Sequence, residues 1–88
     1  MSWICRLSNE AAGALRRLPQ DRRKHVAQAI DEMKTNPTSG DVRPIKNGKF
    51  KGVLRKRVDR YRIVFSIGRE ERVVNIAAIL TRTEHTYR

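Results

Sequence analysis

Large apolar residues alternate with other residues along positions 61–67, which is the period of a half-buried β-strand. Val53, Leu54 and Val58 form a second strand-like stretch before it, and only Asp59 and Arg60 separate the two stretches. With these two residues as the turn, the stretches form a β-hairpin, because antiparallel partners recede symmetrically from a tight turn. The predicted cross-strand partners are Val58 with Tyr61, Arg57 with Arg62, and Arg55 with Val64.

This register divides the hairpin into an apolar face and a basic face. Alternate side chains of a strand point to the same side, so the core side carries Leu54, Val58, Tyr61, Ile63 and Phe65. The opposite side carries Arg55, Arg57 and Arg62. Lys56 is the one basic residue on the core side, and we expect it near an edge, with its stem on apolar surface and its ammonium in water.

The residues before the hairpin predict one strand and two helices. Residues 3–7 alternate as a short strand. Ser8 is a natural N-cap for an amphipathic helix that ends at Pro19, and Asp21 can cap a second helix that stops at residues 36–37. Helices joined so closely form an αα-hairpin, which we expect to pack on the sheet.

The remaining segments complete a single domain over residues 1–88. Residues 38–51 are rich in turn formers and predict a loop, with Ile45 and Phe50 as its anchors in the core. The nearly unbroken apolar run at 73–80 is typical of a central strand buried on both faces. The fold class is therefore α+β. An N-terminal strand, an αα-hairpin and a three-strand antiparallel meander form a small twisted sheet, with the helices packed on one face.

The net charge of this domain indicates which classes of partner it binds. Lysine and arginine number 20 against 9 acidic residues, a formal net charge of +11, which favours nucleic acid, an acidic membrane surface or an acidic protein. No apolar run approaches the roughly 20 residues that span a bilayer, so we expect no membrane-spanning segment. Among the three partner classes we expect nucleic acid and an acidic protein, and no membrane. The single cysteine, Cys5, cannot form an internal disulfide, and residues 1–7 lack the features of a secretory signal. We therefore expect a cytoplasmic protein.

The basic face of the hairpin is the candidate site. Like charges directly opposed on neighbouring strands, as predicted for Arg57 and Arg62, repel each other and lower stability. A solvated surface explains any one of these residues. The whole set favours an anion site, because further cations flank the hairpin at Lys46, Lys49, Lys51 and Arg82.

Other catalytic or metal-binding patterns are lacking. His25 has no second histidine or cysteine at ligand spacing, so no metal site and no cofactor is expected. The basic cluster at residues 22–25 is most simply a solvated helix face. Cys5 is interpreted as a small hydrophobic residue of the first strand rather than a nucleophile.

The order of elements and three stretches of residues carry a resemblance. Gly-Asp-Val-Arg-Pro-Ile-Lys at 40–46, Leu-Arg-Lys-Arg-Val-Asp-Arg-Tyr-Arg-Ile-Val-Phe at 54–65, and Arg82 followed by Tyr87 resemble the RelE/ParE toxin superfamily over essentially the whole chain. The turn differs, since many members have glycine where this chain has Asp59 and Arg60.

The resemblance implies the toxin of a type II toxin–antitoxin pair. In the RelE branch the toxin cleaves messenger RNA at the ribosome, and the family's functional positions correspond here to Arg55, Arg57, Arg62, Arg82 and Tyr87. In the ParE branch the same fold inhibits DNA gyrase and does not cut RNA. Both branches imply a cognate antitoxin, for which we expect an acidic segment that covers the arginine face. The toxin alone is expected to be a monomer.

The chemistry of RNA cleavage gives these residues roles. Attack of a 2′-hydroxyl on the adjacent phosphate without a metal needs charge stabilisation, which the planar, always charged guanidinium supplies. Proton transfer falls to Tyr87 or His85. The alternatives are that Tyr87 packs its ring on the core and that His85 is a solvated tail residue. RNA binding is assigned to Lys46, Lys49, Lys51 and Lys56. Two functions remain open, an endoribonuclease acting on ribosome-bound messenger RNA and a binder without catalysis, either a gyrase inhibitor or an RNA-binding module.

Overall fold

A computed structural model describes residues 2–46 and 53–81 of the chain. These residues form two helices and five strands. In chain order the elements are β1 (Ile4–Leu7), α1 (Asn9–Arg17), α2 (Gln20–Met33), β2 (Val42–Pro44), β3 (Leu54–Val58), β4 (Tyr61–Gly68) and β5 (Val73–Thr81).

The five strands form one mixed sheet in the order β1-β5-β4-β3-β2. β1 lies parallel to β5, whereas the other neighbouring strands are antiparallel. The α+β class, the two helices on one face and the antiparallel meander of β3, β4 and β5 are as predicted. The addition is β2, a three-residue edge strand inside the segment that the sequence predicts as loop.

The hairpin of β3 and β4 has the predicted register. Val58 pairs with Tyr61, Arg57 with Arg62, and Arg55 with Val64. Asp59 and Arg60 form the turn, and Asp59 has a φ of 54°. Aspartate tolerates this left-handed region better than most residues other than glycine, so the turn forms without a glycine.

The helices begin at different kinds of cap. Ser8 caps α1 as predicted, its Oγ accepting a hydrogen bond of 3.0 Å from the Ala11 N–H. The prediction that Asp21 caps α2 is wrong, because the helix begins at Gln20, with Pro19 at the N-cap position and no side-chain cap. Asp21 lies in the first turn, where its negative charge still complements the helix dipole.

The sheet carries apolar residues on both faces. The larger core lies between the sheet and the two helices, and its largest fully buried side chains include Phe65, Met33, Ile63 and Ile76. A smaller cluster lies on the helix-free face and consists of Ile45, Val64, Ala78 and Leu80. Ile45 is buried as predicted, whereas Phe50 lies outside the described residues. β5 contributes to both clusters, which confirms an interior strand buried on both sides.

An irregularity between β4 and β5 places two residues of β5 that stand three positions apart on the same face of the sheet. Ile63 pairs with Ile79, but Phe65 pairs with Ile76, so β5 has an additional residue between these two pairs. This shift keeps Ile76 and Ile79 in the larger core although they stand three positions apart. No helix within residues 2–46 and 53–81 is long and apolar enough to cross a membrane.

Candidate nucleic-acid interface

Four arginines project from neighbouring strands on the helix-free face of the sheet. Arg43 of β2 pairs with Arg55 of β3, and Arg57 of β3 pairs with Arg62 of β4. Cross-strand partners point to the same side of a sheet, so the four side chains share one surface. We call the set Arg43, Arg55, Arg57 and Arg62 the arginine surface. Three of these residues are predicted site residues, and Arg43 is an addition that follows from the presence of β2.

The side chains of this surface differ in their access to solvent. The Arg43 side chain is 74% exposed, the Arg57 side chain 37% and the Arg55 side chain 15%. Arg62 is partly buried. The surface therefore has a sunken centre at Arg55, and its most exposed charge lies on β2 at the edge of the sheet.

The carboxylate of Asp41 lies among these guanidinium groups. The oxygens of Asp41 are 3.7 Å from Arg43 Nε, 3.6 Å from Arg55 Nη1 and 3.9 Å from Arg57 Nε. Sequence reasoning missed this contact, because Asp41 was assigned to a loop. The available signal was the two-residue spacing of Asp41 and Arg43, which places both side chains on one face once the segment is a strand.

The ion pairs leave hydrogen-bonding capacity unused. Nη1 of Arg55 and Nε of Arg57 are buried atoms that make no hydrogen bond within the described part of the chain. Their distances to Asp41 exceed the usual 2.7–3.2 Å of an N–H···O hydrogen bond. Buried polar atoms normally have partners, and unsatisfied ones lower stability. An anion with several oxygens could satisfy these donors, and a phosphodiester is such an anion.

Lys56 does not belong to the arginine surface. It lies on the opposite face, is 4% exposed, and its Nζ donates to the Ser39 carbonyl at 2.8 Å, with the Ser39 hydroxyl at 3.4 Å. The expectation that its ammonium reaches water is therefore wrong. The carbonyl and hydroxyl oxygens of Ser39 take the place of water, and RNA at the arginine surface would not meet this lysine.

The other predicted site residues divide into one described lysine and a larger group outside the described ranges. Lys46 is exposed, next to the buried Ile45. The second group comprises Lys49, Lys51, Arg82, His85 and Tyr87, whose places in the site stay predictions.

The hairpin turn also contacts the helical layer. His25 Nδ1 of α2 lies 2.9 Å from Asp59 Oδ2, and both side chains are largely exposed. This pair links α2 to the turn that carries the arginine strands. Within the described ranges, no three His, Cys, Asp or Glu side chains group as potential metal ligands.

Cys5 has the surroundings of a structural residue. Its Sγ lies 3.7 Å from the Ile30 carbonyl oxygen of α2, and burial raises the pKa of the thiol above its ordinary value of 9.0. The nearby ammonium of Lys34 opposes this shift in pKa but does not cancel it. A raised pKa lowers the thiolate fraction at neutral pH, which agrees with the interpretation of Cys5 as a small hydrophobic residue.

The sequence matches a family model described as the ParE toxin of the type II toxin–antitoxin system parDE, over residues 5–86. None of the curated proteins compared with the chain matches it significantly.

Solved structures share the fold. The archaeal RelE–RelB complex from Pyrococcus horikoshii contains a chain with a TM-score of 0.78 and 20% identity, covering 96% of this chain and 99% of that one. The RelBE2 toxin–antitoxin complex from Mycobacterium tuberculosis gives 0.79 and 20%, covering 93% and 100%. The isolated RelE toxin from E. coli gives 0.71 and 16%, covering 94% and 87%. At these identities the likeness shows the fold alone.

Proposed function

The chain belongs to the ParE toxin family of type II toxin–antitoxin systems, and on this premise we propose that it is an endoribonuclease that cleaves ribosome-bound messenger RNA. The observation that carries the proposal is the arginine surface. Arg55, Arg57 and Arg62 share one face of the β3–β4 hairpin, and buried donors of Arg55 and Arg57 make no hydrogen bond within the described residues.

The arginines suit the charge that develops during cleavage. In the proposed reaction the ribose 2′-hydroxyl attacks the adjacent phosphorus, and the bond to the 5′-oxygen breaks, leaving a 2′,3′-cyclic phosphate. Negative charge gathers on the phosphoryl oxygens in the transition state. Guanidinium groups fixed on paired strands stabilise that charge with little rearrangement, since their positions are set by folding.

Proton transfer needs a second kind of residue. The 2′-hydroxyl loses a proton and the leaving 5′-oxygen gains one. Arginine is a poor base because its guanidinium stays protonated. We assign the transfer to Tyr87 or His85, with Arg82 as a further phosphate ligand, and these three roles rest on the resemblance to RelE toxins.

Binding of the messenger would extend beyond the reacting phosphate. Lys46 is exposed beside the sheet, and Lys49 and Lys51 follow it in sequence. These lysines would contact neighbouring phosphates and add affinity that falls with salt. Ribosomal RNA would help to position the substrate, and the protein would act in the cytoplasm.

An antitoxin is the second proposed partner. Two of the structurally similar toxins are seen in complex with RelB antitoxin. For this chain we propose an acidic partner segment that covers the arginine surface, because it would neutralise the same guanidinium groups that bind RNA. Antitoxin and messenger would then compete for one face of the sheet.

Gyrase inhibition is the second candidate function, because the matching family model is that of ParE toxins. An inhibitor of that kind needs a docking surface but no proton-transfer residue. The residues outside the arginine surface therefore distinguish the two candidates.

The deciding experiment adds the purified protein to a translating extract and maps messenger RNA ends. Arg62→Ala and Tyr87→Phe are tested beside the unchanged protein, and Arg16→Ala on the exposed side of α1 is the matched control for charge. The proposal expects new ends inside ribosome-covered codons, lost in the first two variants and kept in the control. Intact messenger together with inhibition of gyrase supercoiling would replace the proposal with the second candidate.

A further inference from the structure

We propose that Asp41 is a built-in competitor of the RNA phosphate, a positioning residue that holds the guanidinium groups of Arg55 and Arg57 in the free protein and opposes the phosphate when RNA binds. This inference rests on the proposed function of the arginine surface. It assigns a role to Asp41, which lies in the stretch 40–46 that carries the resemblance but has no function assigned there.

Asp41 is the described acidic side chain that contacts the arginine surface. Its carboxylate is within 4 Å of three of the four guanidinium groups and 44% exposed. At this position it reduces the repulsion between Arg43 and Arg55, which face each other across β2 and β3. The surface is thereby partly neutralised before any ligand arrives.

Two hydrogen bonds from neighbouring residues of β3 hold the backbone around Asp41. The Asp41 carbonyl accepts a hydrogen bond of 3.0 Å from the Arg57 N–H. On the other face, the buried ammonium of Lys56 donates to the Ser39 carbonyl at 2.8 Å. Two successive residues of β3 therefore fasten the segment 39–41, and the carboxylate is placed by the fold.

Gly40 makes this placement possible. Its φ is +80°, a left-handed conformation that other residues rarely adopt, and a Cβ there would stand 3.2 Å from Lys56 Nζ. The turn at Gly40 lets the Ser39 carbonyl meet Lys56 on one face while the Asp41 carboxylate reaches the arginines on the other. Lys56 thus acts on the arginine surface indirectly, through the position of Asp41.

The contacts of Asp41 are those of a competitor that a polyanion can displace. At 3.6–3.9 Å the carboxylate attracts Arg55 Nη1 and Arg57 Nε without the short contact of a hydrogen bond. A phosphate that approaches those two donors also comes close to the carboxylate, and like charges repel. A single small anion has only these few contacts with which to overcome the repulsion. RNA has neighbouring phosphates and gains further contacts at Arg62 and Lys46.

The test measures binding of a fluorescent single-stranded 12-nucleotide RNA to the full chain at several salt concentrations. Asp41→Asn keeps the shape of the side chain and removes its charge. We expect it to bind about five- to tenfold more tightly at low salt, the effect of removing one like charge near a phosphate in a partly screened setting. The salt dependence should steepen by about 0.7 in the log–log slope, the value for one further phosphate neutralised on a single strand.

The matched control is Asp21→Asn in the first turn of α2, which changes the net charge equally but lies in the helical layer, on the other side of the sheet from the arginine surface. We expect its affinity to stay within about twofold and its salt slope to stay nearly unchanged, because salt screens an exposed charge that does not contact the bound phosphate. A purely structural role for Asp41 would lower the melting temperature without steepening the salt slope.

A second variant tests the role of the buried lysine. Lys56→Met keeps an unbranched stem and removes the ammonium that fastens Ser39. We expect Lys56→Met to bind RNA more tightly. In the double variant with Asp41→Asn, the change in binding free energy should be smaller than the sum of the two single changes, because both substitutions act on one contact. If Lys56→Met does not fold, the comparison of Asp41→Asn with Asp21→Asn still tests whether Asp41 competes with the RNA phosphate.

The outcomes separate this inference from the function on which it rests. Weaker RNA binding by Arg55→Ala and Arg62→Ala, together with equal binding by Asp41→Asn and Asp21→Asn, would overturn the role of Asp41 alone. Unchanged binding by both arginine variants would overturn the RNA site itself. Tighter binding and a steeper salt slope in Asp41→Asn alone would support the competitor.

Discussion

Arg57 of β3 and Arg62 of β4 are direct cross-strand partners on the helix-free face of the sheet. Opposed like charges lower the stability of a sheet, so the repulsion between these two side chains opposes folding. The structure places a compensating carboxylate, Asp41, beside Arg57. This arrangement separates residues that serve the surface from residues that serve the fold, and the two groups respond differently to substitution.

Arg62→Ala should lower RNA cleavage by about 10²-fold, the usual loss when one donor to a developing negative charge is removed. The free energy of unfolding should change by less than about 1 kcal/mol, because the substitution also removes repulsion with Arg57. Cleavage is measured on messenger in a translating extract and stability by urea denaturation. Arg62→Lys keeps the charge but loses the planar guanidinium, so its cleavage rate should lie between those of the unchanged protein and Arg62→Ala. An equal loss of folding and cleavage would contradict this assignment.

Phe65→Ala should destabilise the domain by about 3–5 kcal/mol, because the side chain is fully buried between the sheet and the helices and leaves a cavity. Ser66→Ala is the matched control, since Ser66 is the next residue of β4 and is exposed. Urea denaturation of both variants, followed by circular dichroism, measures the difference. A loss below about 1 kcal/mol for Phe65→Ala would contradict the assignment of the core face.

Replacing Asp59 with asparagine should change the stability little, whereas replacing it with valine should lower the stability clearly. Asp59→Asn loses the ion pair with His25, but exposed pairs contribute little, so a loss below about 1 kcal/mol is expected. Asp59→Val should cost about 1–2 kcal/mol more, because a β-branched residue is strained at a φ of 54°. Thermal unfolding of the two variants and of His25→Ala separates the contact from the backbone conformation. Equal losses in asparagine and valine variants would show that the backbone is not strained.

The Cys5 thiol should react slowly with a thiol reagent at neutral pH, because burial raises its pKa and lowers its thiolate fraction. A thiol whose pKa is raised on folding stabilises the folded protein below the ordinary value of 9.0, and this contribution is lost as the pH rises through the higher folded value. The rate of labelling is measured from pH 7 to 10 in the folded protein and in urea. Equal rates in both states would contradict the burial of this group.

The hairpin could be predicted from sequence because its determinants are local. The alternation at Tyr61, Ile63 and Phe65 fixes which side faces the core, and a two-residue turn then fixes every cross-strand pair. The N-cap role of Ser8 can be predicted for the same reason, since an N-cap depends on residues within one turn of the helix. The structure agrees with all of these expectations.

The features that sequence reasoning missed depend on contacts between distant segments. β2 has three residues and ends in Pro44, too short to show a period and typical of an edge. Without β2, neither the position of Asp41 nor the acceptor for Lys56 could be foreseen. The irregularity in β5 was hidden as well, because a continuous apolar run does not show where an additional residue lies.

During synthesis β1 emerges from the ribosome before β5, but it can join the sheet only after β5 has been made. The reason is that β1 pairs with β5: Ile4 pairs with Val73, and the Ser8 N–H donates to the Ile76 carbonyl. At roughly 5–20 residues per second, several seconds of elongation separate the two strands. During that interval the helices and the first strand have no β5 to pack against, and closing so long a segment of chain is slow. The sheet that supports the arginines is therefore completed late in synthesis, and a nascent chain interrupted before β5 would lack the strand that joins β1 to the hairpin.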